Sequence, residues 1–269
     1  MTPYPNVNAR RLLRSIPILG LAILATGCGK PFRATERVTL TADMPGTLLK
    51  VRSPMGDIDV HAQQDIAQVT AEAHKIGRGT SPAEAAKALG DIQVELAPDP
   101  DDPAVLVARA SFPKHSVTRS YSVDWTVTAP PGAALDVKTA FGDVEAAGFD
   151  HGAKLSSDFG SIKADAGGEV QVSTEFGDVE LRLRPDNPGK VSVRSEFGDA
   201  RLYIAPSRTG RLTADTDFGD VRADLSGMTA GLLRKFHGSA IEVELGGTPD
   251  PSLDVSTDFG DVVIKTYHP

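Results

Sequence analysis

Cysteine is almost absent from this chain of 269 residues, which contains one, at position 28. A single cysteine cannot close a disulfide within one chain, so apolar burial and hydrogen-bonded strands must stabilise the fold. Aromatic residues are also scarce, at 6%. The chain has no phosphate loop, no G-x-G-x-x-G motif, no C-x-x-C pair and no G-x-S-x-G elbow. It therefore lacks the signatures of the common nucleotide-binding, redox and serine-hydrolase classes.

Positive charge is in deficit, with 28 Lys and Arg against 36 Asp and Glu. Three of the basic residues lie in the first 27 positions, which hold no acid, so the rest of the chain has 25 against 36, a formal charge of about −11. An acidic body disfavours non-specific contact with nucleic acids and with anionic lipid surfaces. We therefore expect no nucleic-acid partner.

The first 27 residues are typical of a bacterial lipoprotein signal peptide. A basic segment with Arg10, Arg11 and Arg14 precedes a short apolar run over 16–24, which is too short for an ordinary membrane-spanning helix. The run ends in Leu24-Ala-Thr-Gly-Cys28, which resembles a lipobox with Ala25 where leucine is usual. We predict that Cys28 is lipidated and that residues 28–37 form a tether; the alternative is an ordinary signal peptide in which Cys28 is incidental.

The predicted anchor also indicates where the protein acts. No second apolar run of spanning length follows, so the membrane would be contacted through the N-terminal lipid alone. Gly29, not aspartate, follows the cysteine, and aspartate there usually signals retention at the inner membrane. We expect a cell-envelope protein, at the outer membrane or facing the periplasm if the host is Gram-negative.

A short repeat dominates the second half of the chain. Its glycines recur at a mean step of about 20 residues, and the copy at Gly238 has lost the adjacent phenylalanine. Such self-similarity indicates one supersecondary unit that is copied and stacked. Six segments carry it: Ala140-Phe-Gly-Asp-Val144, Asp158-Phe-Gly-Ser-Ile162, Glu175-Phe-Gly-Asp-Val179, Glu196-Phe-Gly-Asp-Ala200, Asp217-Phe-Gly-Asp-Val221 and Asp258-Phe-Gly-Asp-Val262.

Apolar alternation predicts that each unit is a strand, a Gly-Asp corner and a second strand. Side chains on a strand alternate between faces, and glycine and aspartate favour tight turns. In one unit, the alternation places Thr174 and Phe176 on the same inward face as Val170, and the pattern resumes at Val179 after the corner. We therefore predict that the repeated phenylalanines occupy core positions.

Two all-β architectures fit this pattern. One is a β-solenoid, similar to a single-stranded β-helix, with coils of about 20 residues over 135–269. The other is a hairpin meander or β-sandwich, in which Gly-Asp is a two-residue hairpin loop. The solenoid is favoured because equivalent residues recur as columns, which stacking of like on like explains directly.

The preceding part, residues 38–134, is predicted to be an N-terminal β region with a helix-containing insertion. A divergent unit with Met55 in place of phenylalanine comes first, and the insertion follows over about 61–131. Ser81, Pro82 and Glu84 supply an N-cap, a proline at the first helical position and a capping-box acid. The sequence therefore predicts one helix, which begins after Ser81.

Taken together, the leader, the Gly56-Asp-Ile58 unit, the helical insertion, the Val127-Thr-Ala-Pro-Pro-Gly132 segment and the serial [ST]-x-F-G-D-[VA] units resemble the bacterial putative-adhesin family of unknown function. The resemblance spans about residues 38–266. It implies a repeated β-solenoid lipoprotein at the cell surface or in the periplasm. It brings no catalytic residues.

An acidic residue lies just before or just after each Phe-Gly pair of the repeat, and these acids form the one unusual constellation. If units stack in register, neighbouring carboxylates repel one another and favour a bound cation, for which calcium is the natural candidate. The alternative is that each corner aspartate caps its own corner and the others are solvated or paired with arginines. The candidate calcium ligands are Asp178, Asp199, Asp220, Glu175, Glu196 and Asp217.

We expect a non-enzymatic, lipid-anchored envelope protein with an adhesin-like binding or structural role and an unknown protein or glycan ligand. One alternative is a polysaccharide-active β-helix enzyme, by analogy of fold alone. Another is a periplasmic scaffold or signalling partner, for which the sequence offers no specific feature. No cofactor other than the possible calcium ion is expected.

Overall fold

The computed structural model describes residues 22–24, 31–113, 119–185, 187–228, 230–246 and 251–267. These residues form 22 strands and one helix, α1 (Pro82–Asp91), which confirms the all-β prediction. The strands are β1 (Ala22–Leu24), β2 (Phe32–Asp43), β3 (Leu48–Ser53), β4 (Ile58–Ala62), β5 (Gln68–Gly79), β6 (Gln93–Pro98), β7 (Val105–Ser111), β8 (Arg119–Ala129), β9 (Ala134–Phe141), β10 (Val144–Phe149), β11 (Ala153–Phe159), β12 (Ile162–Ala166), β13 (Val170–Phe176), β14 (Val179–Leu183), β15 (Val191–Phe197), β16 (Ala200–Ile204), β17 (Gly210–Phe218), β18 (Val221–Asp224), β19 (Ala230–His237), β20 (Ala240–Leu245), β21 (Ser252–Phe259) and β22 (Val262–Thr266).

The strands form two mixed sheets of eleven strands each. Sheet A has the order β1-β2-β5-β8-β4-β10-β12-β14-β16-β22-β18, and sheet B has the order β19-β20-β17-β21-β15-β13-β11-β9-β3-β7-β6. Alternate residues of both sheets point into one continuous apolar core, so the sheets are layered as in a sandwich. This arrangement fits the β-sandwich part of the alternative.

Each F-G-D unit contributes one strand to each sheet. In the unit at Gly177, β13 lies in sheet B and β14 in sheet A, so Gly-Asp turns the chain from one sheet to the other. The predicted hairpin loop at these positions is therefore wrong. Neighbouring units pair in parallel with equivalent residues opposite each other, such as Thr174 opposite Ser195 and Phe176 opposite Phe197. The predicted columns are present.

The spatial order of the units departs from their order along the chain. The last unit, β21 and β22, lies between the β15–β16 unit and the β17–β18 unit in both sheets. At the other end, β3 and β4 lie between β7–β8 and β9–β10. Both ends of the array therefore contain a unit inserted between others.

The copy of the repeat at Gly238 is a hairpin and not a corner. Strands β19 and β20 pair antiparallel, with His237 opposite Ala240 and Gly238-Ser239 as the connecting turn. Both strands belong to sheet B. At this copy the chain therefore reverses within one sheet and does not cross to the other.

The insertion extends the two sheets and does not form a separate body. Strands β5 and β8 join sheet A, and β6 and β7 join sheet B. Helix α1 begins as predicted: Ser81 accepts a hydrogen bond from the Glu84 amide at 3.2 Å, and Pro82 opens the helix. It packs on β5, β2 and β8 through Ala85, Ala88 and Leu89.

The predicted tether over residues 28–37 is partly wrong. Strand β2 begins at Phe32 and pairs antiparallel with β5 along its whole length, from Phe32 opposite Gly79 to Asp43 opposite Gln68. The long strand β5 supplies hydrogen-bond partners for these residues, so they continue the sheet. Position 28 itself lies outside the described residues.

Replacing Gly177 with alanine should destabilise the fold strongly. Gly177 has a φ of +150°, and an added Cβ would lie 2.3 Å from the carbonyl oxygen of Gly160 in the neighbouring unit. We expect Gly177→Ala to lower the free energy of unfolding by about 2 kcal/mol or more, measured by urea unfolding. Gly90→Ala is the matched control, because a Cβ there meets open space on a helix and should raise stability by at most about 1 kcal/mol. Equal stability of Gly177→Ala and the parent would contradict the close stacking of the corners.

Candidate functional site

The corners between the sheets are built from groups that bond to the neighbouring unit. The Gly177 amide donates to the Phe197 carbonyl at 2.9 Å, and the Val179 amide donates to the Asp199 carbonyl at 2.8 Å. The same pairs recur from the Met55 corner to the Phe218 corner. The parallel hydrogen-bond ladder therefore continues around each corner without interruption.

A column of buried hydroxyls satisfies the glycine carbonyls. The Oγ1 of Thr174 donates to the Gly160 carbonyl at 2.9 Å, and the Oγ of Ser195 donates to the Gly177 carbonyl at 3.0 Å. These carbonyls lie where the strand ladder turns, and a buried carbonyl without a donor is costly. Each such hydroxyl is at most 5% exposed; the others are Thr139, Ser157, Thr216 and Thr257.

The corner aspartates satisfy the remaining amides. Asp178 Oδ1 accepts the Asp199 amide at 2.9 Å, and Asp199 Oδ1 accepts the Asp261 amide at 3.0 Å. In the variant unit, Ser161 Oγ accepts the Asp178 amide at 3.3 Å. Each corner side chain therefore caps the next unit, whereas the sequence suggested that it caps its own corner.

The repeated phenylalanines lie outside the core, so the prediction that they are core residues is wrong. Their exposed fractions range from 42% to 66%. The alternation holds up to the buried Thr174 and resumes at the buried Val179, but Glu175 and Phe176 are both exposed. The corner itself breaks the period of two, because its inward position is taken by the hydroxyl that bonds the glycine carbonyl.

The six rings stack into one continuous ridge, which we call the phenylalanine ridge. Neighbouring centroids lie 4.8–4.9 Å apart and neighbouring planes are within 4° of parallel, so five steps cover about 24 Å. In spatial order the ridge consists of Phe141, Phe159, Phe176, Phe197, Phe259 and Phe218. The half-exposed Met55 belongs to the unit beyond Phe141.

Two rows of carboxylates run beside the ridge. The residues directly before the phenylalanines belong to the strands of sheet B, and the corner aspartates lead into sheet A. The first row comprises Asp158, Glu175, Glu196, Asp258 and Asp217; the second comprises Asp143, Asp178, Asp199, Asp261 and Asp220.

Three arginines neutralise part of these rows. Arg201 contacts the carboxylates of Asp178 at 3.3 Å and Asp199 at 2.6 Å. Arg222 bridges the next two corner aspartates, and Arg194 lies 3.8 Å from Asp258. Among the described residues, five carboxylates of the two rows form no ion pair: Asp143, Asp158, Glu175, Glu196 and Asp217.

The six candidate calcium ligands fall on both sides of the ridge. Glu175, Glu196 and Asp217 belong to the first row, while Asp178, Asp199 and Asp220 belong to the second and contact arginine. Within the part of the chain that the structure describes, no three His, Cys, Asp or Glu side chains converge closely enough to hold a metal ion. Calcium binding stays a prediction.

Acidic charge is densest near the Phe218 end of the ridge. Loss of hydration, together with repulsion from Asp217, Asp254 and Asp258, raises the pKa of Asp215 above its usual range, and Arg194 opposes this shift. All of these groups lie on strands of sheet B. Loss of hydration and the neighbouring carboxylates thus both disfavour the charged form of Asp215.

The aromatic residues of the insertion are structural. Trp125 is 1% exposed and Tyr121 is 8% exposed, and the Tyr121 ring stacks on Phe112 at 5.6 Å. Both side chains therefore pack in the core. The exposed aromatic surface of the described residues therefore lies on the ridge and not in the insertion.

Comparison with known proteins gives weak likeness of fold only. The sequence matches no family model and no curated protein. A solved structure titled a putative cell adhesion protein from Clostridium sporogenes is 13% identical, covers 88% of this chain and all of its own, and has a TM-score of 0.46. A putative adhesin from Bacteroides fragilis is also 13% identical, covers 86% of this chain and 97% of its own, and has a TM-score of 0.37.

The buried hydroxyl column can be tested by a pair of substitutions on β17. Thr216→Val removes the 2.9 Å bond to the Gly260 carbonyl, and we expect it to lower the free energy of unfolding by about 1–2 kcal/mol. Thr213→Val, on the opposite face of the same strand, should leave stability within about 0.5 kcal/mol of the parent. Urea unfolding measures both; equal effects would show that the hydroxyl bond does not matter.

The acidic surface predicts that Asp215→Asn raises the stability of the fold and that this gain depends on pH. A carboxyl with a raised folded pKa destabilises the fold where it is charged, above that pKa, and the penalty fades as pH falls toward the unfolded value of 3.8. We expect the variant to melt about 1–2 °C higher at pH 7 and no higher than the parent below pH 3.8. Glu72→Gln, outside this cluster, should melt like the parent; a lower melting temperature of Asp215→Asn at pH 7 would contradict the repulsion.

Proposed function

We propose that the protein is a non-enzymatic, lipid-anchored protein of the cell envelope with an adhesin-like binding role, and that the phenylalanine ridge is its binding surface. The observation that supports this proposal is the ridge itself. Continuous exposed apolar surface is unusual on a soluble domain and marks interaction sites. Here the strand ladder holds the stacked rings rigid, so binding would cost little conformational entropy.

The ridge would follow the edge of a two-sheet solenoid with coils of about 20 residues. Parallel pairing of equivalent residues between the strands of neighbouring F-G-D units supports this description of the array. Stacked repeats create long, regular surfaces that suit extended ligands. An enzyme, in contrast, needs one distinctive site, and Glu196 and Asp199 belong to rows that repeat along the whole ridge.

The anchor would be the lipid on Cys28. The lipobox-like segment supports it, and none of the helices in the described ranges is both long and apolar enough to cross a membrane. Cleavage before Cys28 would also remove β1, which pairs antiparallel with Arg33 to Thr35 of β2. Gly29 after the cysteine supports an outer-membrane or periplasm-facing location.

Whole cells provide the test of this proposal. Bacteria that produce the full chain should adhere to gelatin-coated glass, and Phe176→Ser with Phe197→Ser should reduce the number of adherent cells about fivefold or more, because many weak contacts act together. Adherent cells are counted after washing at fixed shear. Glu72→Gln with Asp101→Asn, two exposed positions away from the ridge, is the control and should adhere like the parent.

The anchor forms the second arm of the same experiment. Cys28→Ser should block incorporation of labelled palmitate and release the protein from the membrane fraction. Adhesion should then fall as much as it does in the double serine variant. Full adhesion of the double serine variant at equal surface amounts would refute the ridge as the binding surface. Retention of Cys28→Ser in the membrane would refute the lipid anchor.

A further inference from the structure

The ridge exposes ring edges and hides ring faces. Each inner phenylalanine is covered on both faces by neighbours 4.8–4.9 Å away, so open faces remain only at the ends of the stack. Ligands that bind by stacking, such as nucleobases, need an open π-face. Ring edges carry partial positive charge and prefer the faces of other aromatic rings. This geometry favours a partner with projecting apolar and aromatic side chains over one with flat stacking rings.

The charge beside the ridge indicates the sign of the partner's charge. Ten carboxylates line the two sides, and three arginines form ion pairs with them among the described residues. Glu175, Glu196 and Asp158 on the sheet B side have no such pair in that part of the chain, and Asp143 lacks one on the sheet A side. A partner that contacts the rings must therefore approach between two negative rows, which favours cations and repels anions.

The same charge disfavours a second copy of this chain as the occupant. Two ridges brought together would place carboxylate rows against carboxylate rows, and like charges at an interface cost binding energy. Anionic polymers would be repelled by the same carboxylate rows. The length of the ridge, about 24 Å over five steps, corresponds to about eight residues of an extended polyproline II peptide at about 3.1 Å per residue.

We propose that the phenylalanine ridge binds an extended cationic polypeptide segment in which each apolar or aromatic side chain is followed by two lysine or arginine residues. In a polyproline II conformation, with three residues per turn, one side chain of each turn faces the ridge and the other two point to its two sides. The inference rests on the proposed function of the ridge and adds the chemical class of its partner. The apolar side chains of the segment pack on the ring edges, and its cationic side chains lie over the unpaired carboxylates on both sides. Pairing of each cation with a carboxylate that has no internal partner avoids breaking the existing contacts of Arg201 and Arg222.

Synthetic peptides test this inference directly. The probe, called the Lys–Phe peptide, is a fluorescein-labelled twelve-residue peptide that repeats Phe-Lys-Lys, titrated with the full chain carrying Cys28→Ser and followed by fluorescence anisotropy. A Glu–Phe peptide controls for charge, and a Lys–Ser peptide controls for apolar contact. We expect the Lys–Phe peptide to bind at least about tenfold tighter than either control, and its affinity to fall as salt is raised.

Two ridge variants separate the apolar and charged contributions. Phe176→Ser with Phe197→Ser, and separately Glu175→Gln with Glu196→Gln, should each weaken binding of the Lys–Phe peptide about tenfold. Glu72→Gln with Asp101→Asn is the matched control and should bind like the parent. The glutamine pair lies on strand positions outside the core, so it keeps the test valid if the serine pair unfolds, which thermal melting detects.

The possible outcomes discriminate between this inference and the proposed function. Equal binding of the Lys–Phe peptide to the parent and both ridge variants overturns the inference, as does equal binding of the Glu–Phe peptide. If the peptide does not bind but the serine pair still abolishes cell adhesion, the partner class is wrong and the ridge remains the binding surface. If neither peptide binding nor adhesion depends on the ridge, the proposed function is refuted as well.

Discussion

The parallel hydrogen-bond ladder that continues around each corner is the constraint on which the rest of the structure depends. Stacked strands leave room for glycine alone where Gly177 meets the Gly160 carbonyl. The carbonyl then needs a donor, which the Thr174 hydroxyl supplies, and the next amide needs an acceptor, which a corner aspartate supplies. The phenylalanine stands outside this ladder, and the ladder spaces its ring 4.8–4.9 Å from the next. Every residue type of the motif thus has a separate physical reason.

The features of the fold that depend on short stretches of sequence could be predicted from the sequence. The all-β class, the strand–corner–strand unit, the columns of equivalent residues and the Ser81 cap all follow from alternation, turn chemistry and capping. The position of β21 and β22 between earlier units does not follow, because all units carry nearly the same sequence and any neighbour offers the same pairing. The Gly238 hairpin was not predicted, because Gly238 was assigned to the repeat on its spacing alone, although no phenylalanine directly precedes it.

The ridge was the larger error, and the sequence contained a signal that could have found it. Strict alternation after Thr174 puts Phe176 inside and Glu175 outside, but the corner interrupts the alternation between them and Val179. The acid directly before most of the phenylalanines was the available signal, because charged and aromatic side chains that are adjacent at a chain corner both face solvent. The interpretation of the phenylalanines as core positions assumed that large apolar side chains are buried, which is not a rule for regularly stacked rings.

The inserted last unit also constrains the order in which the array forms. A chain that emerges N-terminus first can add β9 to β16 unit by unit. Strand β17 can then pair with β20, but neither β17 nor β18 can join the array until β21 and β22 exist. Strands β21 and β22 therefore connect the two parts of the array. Until these two strands have formed, the edges of β15 and β16 remain open to pairing with strands of other chains, so a partly synthesised chain is exposed to aggregation at this point.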